Sequence, residues 1–415
     1  MNNIVVYLIA GVLCSSLARP LAAQDDSQQD DWDASRRQMQ AQVQQGQEDM
    51  TQTYTAGARE QAEEYQKLTA EQVRIYDGML KKMAAEREVL RRRVVQQWAE
   101  FRESDTKHWV DYNAKSDARS QVDFEKGKVE VEVLVPLEQV APGKKAVTFS
   151  DLNAKEQGKL KALAEEKLQA QTKEALIQKA ESKGPEVLKD QLQGADGKPV
   201  TEKNVDRFVK EVLVPRMKVE DKPVVAQDGK PRLKVTVTVP LVPDHLKIRA
   251  KRYESQIAAA AKLNELDPAL VYAIIHTESE FNPMAKSQAP AFGLMQLMAP
   301  YGAKEAYKYI YKQDKVVSPE YLFDPNNNIQ LGTAYMHLIM TRHYGKVKDP
   351  ENRLNLSIAA YNCGSGAVNR TVLAGRSADS MSPEELLGQI KRKAPKETQA
   401  YVPRVRQRME LYRNL

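Results

Sequence analysis

From Trp32 to Ser104 the chain runs more than seventy residues with no proline and no cluster of glycines. Helix-breaking residues being absent, apolar positions at helical spacing leave few folds open except a long helix. Tyr65, Leu68, Tyr76, Leu80, Met83, Leu90, Val94, Trp98 and Phe101 recur mostly three, four or seven apart, which makes an apolar seam. The strongest portion is AAEREVLRRRVVQQWAEF. Such a seam packs either on its own domain or on a second copy, giving a helical, coiled-coil-like region over 32–106.

Beyond Lys107 the period changes from helical to alternating. SQVDFEKGKVEVEVLVP reads as strand, tight turn at Lys126-Gly127, and strand. Helices are expected over 151–182 and 202–214, and two more strands across Asp228-Gly229 in MKVEDKPVVAQDGKPRLKVTVTVPL. Hairpins interleaved with helices predict an α+β domain over 107–245 with an antiparallel sheet. A helix over 244–265 then opens a helical C-terminal part, 246–415. The whole is an α+β multidomain chain.

Ahead of these units, MNNIVVYLIAGVLCSSLARPLAAQDD reads as a signal peptide over 1–23, with a disordered leader at 24–31. That predicts a periplasmic chain associated with the outer membrane or wall. Leu13 before Cys14 argues against a lipid anchor. Only Cys14 and Cys363 are present, and the five histidines are scattered, so no disulfide, metal site or cofactor is expected. The charge of +6 is spread over mixed runs and no nucleic-acid motif accompanies it. Clusters such as LRRRVV and YVPRVRQR either contact anionic wall or membrane surface or are solvated helix faces.

The chemistry points to one carboxylate. Asp267 and Pro268 start a helix as N-cap and first residue. Val271, Ile274, Ile275 and Glu278 then fall on one stripe, and Pro283 ends the helix soon after. Apolar neighbours and the negative end of the helix dipole both disfavour ionisation, so Glu278 is expected to hold its proton and act as a general acid. Glu280 leaves the helix in another direction, and Asp324 in FDPNN reads as a turn residue. No second carboxylate is evident, whereas most glycosidases use two.

TESEFNP, GLMQLM, GTAY, AAYNCGSGAV and ETQAYVPRV, in this order, resemble the soluble lytic transglycosylase domain, across about residues 250–415. WVDYN…VDFEKGKVEVEV more faintly resembles the N-terminal domain of membrane-bound lytic murein transglycosylase C. The resemblance implies an all-α lysozyme-like C-terminal fold and peptidoglycan glycan strands as substrate. It also implies Glu278 as catalytic acid and base, with Ser287, Gln296, Tyr335, Tyr361, Asn362 and Tyr401 lining the site. Pro290, where the family often has glycine, and Ala299, between GLMQLM and Pro300, depart from the pattern without removing the acid. Cys363 reads as a packing residue. By the resemblance the bond between N-acetylmuramic acid and N-acetylglucosamine is cut without water, leaving 1,6-anhydro ends. An ordinary lysozyme-type hydrolase and a non-catalytic wall-binding scaffold stand as alternatives.

Overall fold

The computed structural model describes residues 56–144, 147–177 and 187–413, with side chains from residue 70 onward. The expected signal peptide, the leader and the first part of the long helix lie outside these residues, as do the side chains of Tyr65 and Leu68. Helix α1 spans Ala56–Val95. Its seam is divided between two cores of the same chain. Tyr76 is buried among C-terminal residues with Leu80 and Met83 packed beside it, while Val94 joins Leu134 of the sheet. Ile75 and Val89 stay exposed on the outer face.

The helix ends earlier than its spacing suggested, and Trp98 and Phe101 lie beyond it. The amides of Gln97 and Trp98 both donate to Val94 O at 2.9 Å, closing the last turn. Trp98 is then free to bury its ring and donate Nε1–H to Ser116 O at 2.7 Å, while Phe101 stacks on Tyr112. A satisfied indole against the sheet outweighs one more helical turn.

The sheet contains β1 (His108–Tyr112), β2 (Ala118–Asp123), β3 (Lys128–Pro136), β4 (Lys218–Val219), β5 (Val224–Val225) and β6 (Pro231–Pro240). They are antiparallel in the order β1-β2-β3-β6-β4, with β5 also on β6. The β2–β3 hairpin pairs Asp123 with Lys128 around the expected turn. Gly127 sits at φ +61°, and a Cβ there would strike the His245 ring, so glycine meets two demands at once. Strand β1 was not anticipated, because Asp111 interrupts its apolar alternation. Pro223 splits the run before β6 into the two-residue strands β4 and β5.

Along β3 the side chains alternate by face. Val129, Val131, Val133 and Val135 meet α2 (Ala154–Ile177), which brings Leu160, Ala164 and Leu168 at four-residue spacing. Each buried leucine contributes about 1.5–3 kcal/mol. The opposite face of the sheet carries charge. Arg119 and Glu132, 1% and 2% exposed, meet at 2.6 Å, and Arg102 and Lys234 reach the same carboxylate at 3.0 and 3.2 Å. Trp98 covers the Arg119 guanidinium at 4.2 Å.

The single helix expected over 244–265 is two, α3 (His245–Lys251) and α4 (Glu254–Leu263). A tight turn at Arg252-Tyr253 sends Ile257 into the C-terminal core and leaves Arg249 at the junction with the sheet domain. There follow α5 (Pro268–Ser279), a short ribbon of β7 (Ala291–Phe292) and β8 (Leu297–Met298), and α6 (Lys304–Tyr311). The chain closes with α7 (Pro325–Leu338), α8 (Pro350–Cys363), α9 (Pro383–Lys393) and α10 (Lys396–Tyr412). The starts of α5, α7, α8 and α9 share one device. Asp267, Asp324, Asp349 and Ser382 accept a backbone N–H of the first turn, and a proline follows each. Asp324, read from sequence as a turn residue, is one of these caps.

Candidate active site

Helix α5 is apolar on nearly every side, and Val271, Ile274 and Ile275 are buried beneath Glu278. Its end is stitched to the following loop by Ser279, whose hydroxyl lies 3.0 Å from Ile275 O and 2.7 Å from Leu294 O. That places Glu278 in the last turn with its carboxyl turned toward α10, where the Tyr401 hydroxyl donates to Oε1 at 2.6 Å.

Glu278 as a residue is half-buried, yet enough protein surrounds the carboxyl for burial to dominate its titration. Burial pushes the acid up to about 8. The Tyr401 hydrogen bond opposes this and the charge of Glu397 adds to it. No ion pair to Glu278 occurs among the described residues. Burial and the neighbouring carboxyl hold Tyr401 and Tyr361 well above the usual tyrosine range, so both remain hydroxyl donors. The centre is therefore a protonated acid ringed by neutral donors.

Tyr361, near the end of α8, donates to Met295 O at 2.9 Å and lies against Tyr335 of α7 at 5.6 Å between ring centres. The GLMQ segment is drawn in by buried Asn328, which accepts from Met295 N at 2.7 Å and donates to Phe292 O and Leu322 O, each at 2.8 Å. Gly293, at φ +78°, allows that approach, since a Cβ there would meet Leu322 O and the Asn328 amide. Gln296 follows at φ +47° and spends its Nε2 on Ala285 O at 3.1 Å and Gly293 O at 2.9 Å. Its Oε1 is buried without a partner. An orphaned acceptor of this kind costs about 1–3 kcal/mol unless a ligand supplies a donor.

Asn362 accepts from the Thr398 hydroxyl at 2.6 Å and donates to Glu397 at 3.2 Å. Ser287 bonds within its own loop, to Ala289 O, and no described hydrogen bond links it to Glu278. Tyr401 thus touches the acid, and the Glu278 charge in turn raises Tyr361. Tyr335 packs on Tyr361 and Asn362 bonds Glu397, whereas the described hydrogen bonds of Gln296 and Ser287 stay within their own loop. Sequence reading missed Asn328, Glu397 and Thr398. For Glu397 a signal existed, because it precedes Tyr401 by one helical turn. The Cys363 thiol is raised by burial and rests 3.3 Å from Ala359 O, a packing contact. No group of three or more metal-ligating side chains occurs among the described residues.

Two family models match the chain. The transglycosylase SLT domain covers residues 255–380, and the N-terminal domain of membrane-bound lytic murein transglycosylase C covers 78–252. The chain belongs to the lytic murein transglycosylases. It is a peptidoglycan-cleaving lyase by family, and Glu278 lies inside the SLT match. Among relatives of this transglycosylase, membrane-bound lytic murein transglycosylase C of Cronobacter sakazakii is 27% identical over 316 residues, 74% of this chain and 82% of that one. The Serratia proteamaculans protein of the same name is 35% identical over 184 residues, 43% of this chain and 51% of that one. The solved 70 kDa soluble lytic transglycosylase of Escherichia coli is 30% identical over 41% of this transglycosylase and 26% of its own chain, with a TM-score of 0.34. No described helix of the lytic transglycosylase is long and apolar enough to cross a membrane.

Proposed function

We propose that this lytic transglycosylase cuts the β-1,4 bond between N-acetylmuramic acid and N-acetylglucosamine without water and leaves 1,6-anhydro ends. One observation carries the reading: the Tyr401 hydroxyl bonds the Glu278 carboxyl where burial raises that acid, and no ion pair to it occurs among the described residues. In the first step Glu278 gives its proton to the glycosidic oxygen as the bond to C1 breaks, and the muramoyl acetamido oxygen stabilises C1. In the second, the O6 hydroxyl attacks C1 and returns its proton to the Glu278 carboxylate. The acid is regenerated and no water is consumed.

Tyr401 steadies the carboxylate between the two steps. Tyr335 and Tyr361 offer ring faces to a sugar and Asn362 an amide to the acetamido group, while Gln296 braces the loop beside them through Ala285 O and Gly293 O. Ser287 belongs to the loop that closes on the glycan. In this reading residues 246–415 are the catalytic domain, 107–245 and the preceding helix support it, and the enzyme works in the periplasm on glycan strands near a membrane surface.

A second reading has a specific observation behind it. Glu397 lies near enough to raise Glu278, and a two-carboxylate hydrolase would use such a neighbour. Mass spectrometry of products from purified peptidoglycan separates the two. Anhydro ends lighter by one water support the lyase mechanism, and hydrated reducing ends refute it.

A further inference from the structure

Helix α10 grips α5 along one face at three points. Tyr401 bonds Glu278, Arg408 seven residues on bonds the next segment, and Tyr412 lies 3.0 Å from His276 Nδ1. Arg408 is the bidentate member: Nη1 donates to His276 O at 2.5 Å and Nη2 to Glu280 Oε1 at 2.9 Å. The second carboxylate oxygen of Glu280 takes His276 Nε2 at 3.0 Å. With Nδ1 accepting from Tyr412 and Nε2 donating, His276 serves as a neutral ring, consistent with the lowering of its pKa by burial.

Glu280 is 5% exposed, and its backbone is left-handed, φ +51°, as is that of Phe281 at φ +59°. Two successive non-glycine residues in this region are sterically strained. They persist only where the surroundings fix them. Here Arg249 of α3 donates Nε–H to Glu280 O at 3.1 Å, and its other nitrogens reach Phe124 O at 3.2 Å and Gln191 Oε1 at 3.0 Å in the sheet domain. His245 on the same helix stands 2.9 Å from Arg249. A buried ion pair of this kind is commonly replaceable by apolar residues without loss of stability, so one that joins α10 to the end of α5 calls for another role.

We infer that Glu280 is a positioning residue for the catalytic acid: through Arg408 it sets the register of α10 on α5 and so keeps the Tyr401 hydroxyl on Glu278, and through Arg249 it ties that register to the sheet domain. This rests on the reading of Glu278 as the acid. Burial alone would raise Glu280, but the hydrogen bonds from His276 and Arg408 and the Arg408 charge bring it below the usual glutamate range, so the clamp stays ionised. The titratable groups facing Glu278 itself are Tyr401 and Glu397 of α10 and Tyr361 of α8. Of these, Tyr401 is the one whose hydrogen bond favours the carboxylate.

The test is the pH dependence of muropeptide release from insoluble peptidoglycan by the full chain, its Glu280→Gln and Tyr401→Phe variants and the double variant. Release of the clamp lets Tyr401 drift, which removes a bond to the ionised acid, so the alkaline limb moves to higher pH. Glu280→Gln is expected to lower kcat about ten- to a hundredfold with KM changed less than about twofold. Its limb should move in the same direction as that of Tyr401→Phe, and the double variant should move no further than the larger single one. A limb unmoved in Glu280→Gln, or two shifts that add, overturns the inference. A purely structural role would lower Tm and leave the limb in place. If Glu280→Gln fails to fold, Arg408→Lys keeps the charge and removes the fork, and an unmoved limb there is equally fatal. Lysis by Glu278→Gln would instead remove the acid assignment, and this inference with it.

Discussion

Glu132 in the sheet and Glu278 at the end of α5 are both withdrawn from water, by opposite means. Glu132 is met by Arg119, Arg102 and Lys234, and although burial pushes it up, those cations bring it below the ordinary range. Glu278 meets tyrosine hydroxyls and a like charge, and rises to about 8. An acid with a structural task brings its counter-ions into the interior, whereas one with a chemical task is denied them and keeps a proton. Glu280, two residues from the proposed catalytic acid, is caged in the manner of Glu132, so the contrast is drawn within a single turn of chain.

The largest expected effect breaks this contrast at the acid. Glu278→Gln removes the proton donor and should reduce wall lysis by about 10²–10⁴-fold, with binding to insoluble peptidoglycan retained. Lysis by turbidity and binding by co-sedimentation read the two separately, and persistent lysis would end the enzymatic reading of this carboxyl. Next, Glu132→Ala leaves Arg119 buried beside an empty site. Its urea midpoint should reveal a loss of about 3–5 kcal/mol with activity per folded molecule unchanged. A loss below about 1 kcal/mol would mean that the cations do not depend on that carboxylate.

The pH profile should separate the two acids further. The proposed reaction needs Glu278 in its protonated form, so the rate should fall as pH rises through about 8. A flat profile to pH 9 would contradict the elevated acid. The smallest effect is on stability. The folded pKa of Glu278 lies above its ordinary value of 4.5, so folding is favoured where the acid is protonated, and that favour is lost as pH climbs from about 4.5 to 8. Glutamine has nothing to lose. Glu278→Gln should therefore melt about 2–4 °C above wild type at pH 8.5 and match it at pH 4, an effect of roughly 1 kcal/mol after allowance for partial solvent access. Equal Tm values at both pH values would show the carboxyl open to solvent.

Local rules made much of this molecule legible. Lys126-Gly127 marks a hairpin because glycine accepts positive φ there. Asp267-Pro268 marks a helix start because the pair caps it, and the stripe ending at Glu278 marks a greasy setting because helical spacing puts those residues on one side. What stayed hidden depends on partners distant in sequence. The helix stops at Val95 because Trp98 finds Ser116. Strand β1 forms because β2 offers an edge, despite the poor alternation of HWVDY. Asn328 closes the GLMQ loop from a helix thirty residues away, and no local pattern announces that an asparagine will be spent on three backbone groups. Ser287 lies between the TESEFNP and GLMQLM motifs, yet its hydroxyl is turned to its own loop.

By itself the sequence determined that Glu278 would end an apolar helical stripe, because β-branched neighbours at helical spacing and an early proline are facts of order along the chain. Only the tertiary structure decided what surrounds that carboxylate: a tyrosine from α10 on its oxygen, and a caged Glu280 behind it. Counter-ions and hydroxyls arrive from helices more than a hundred residues away, and their arrival depends on packing free energy summed over the whole core, which spacing along one segment does not encode.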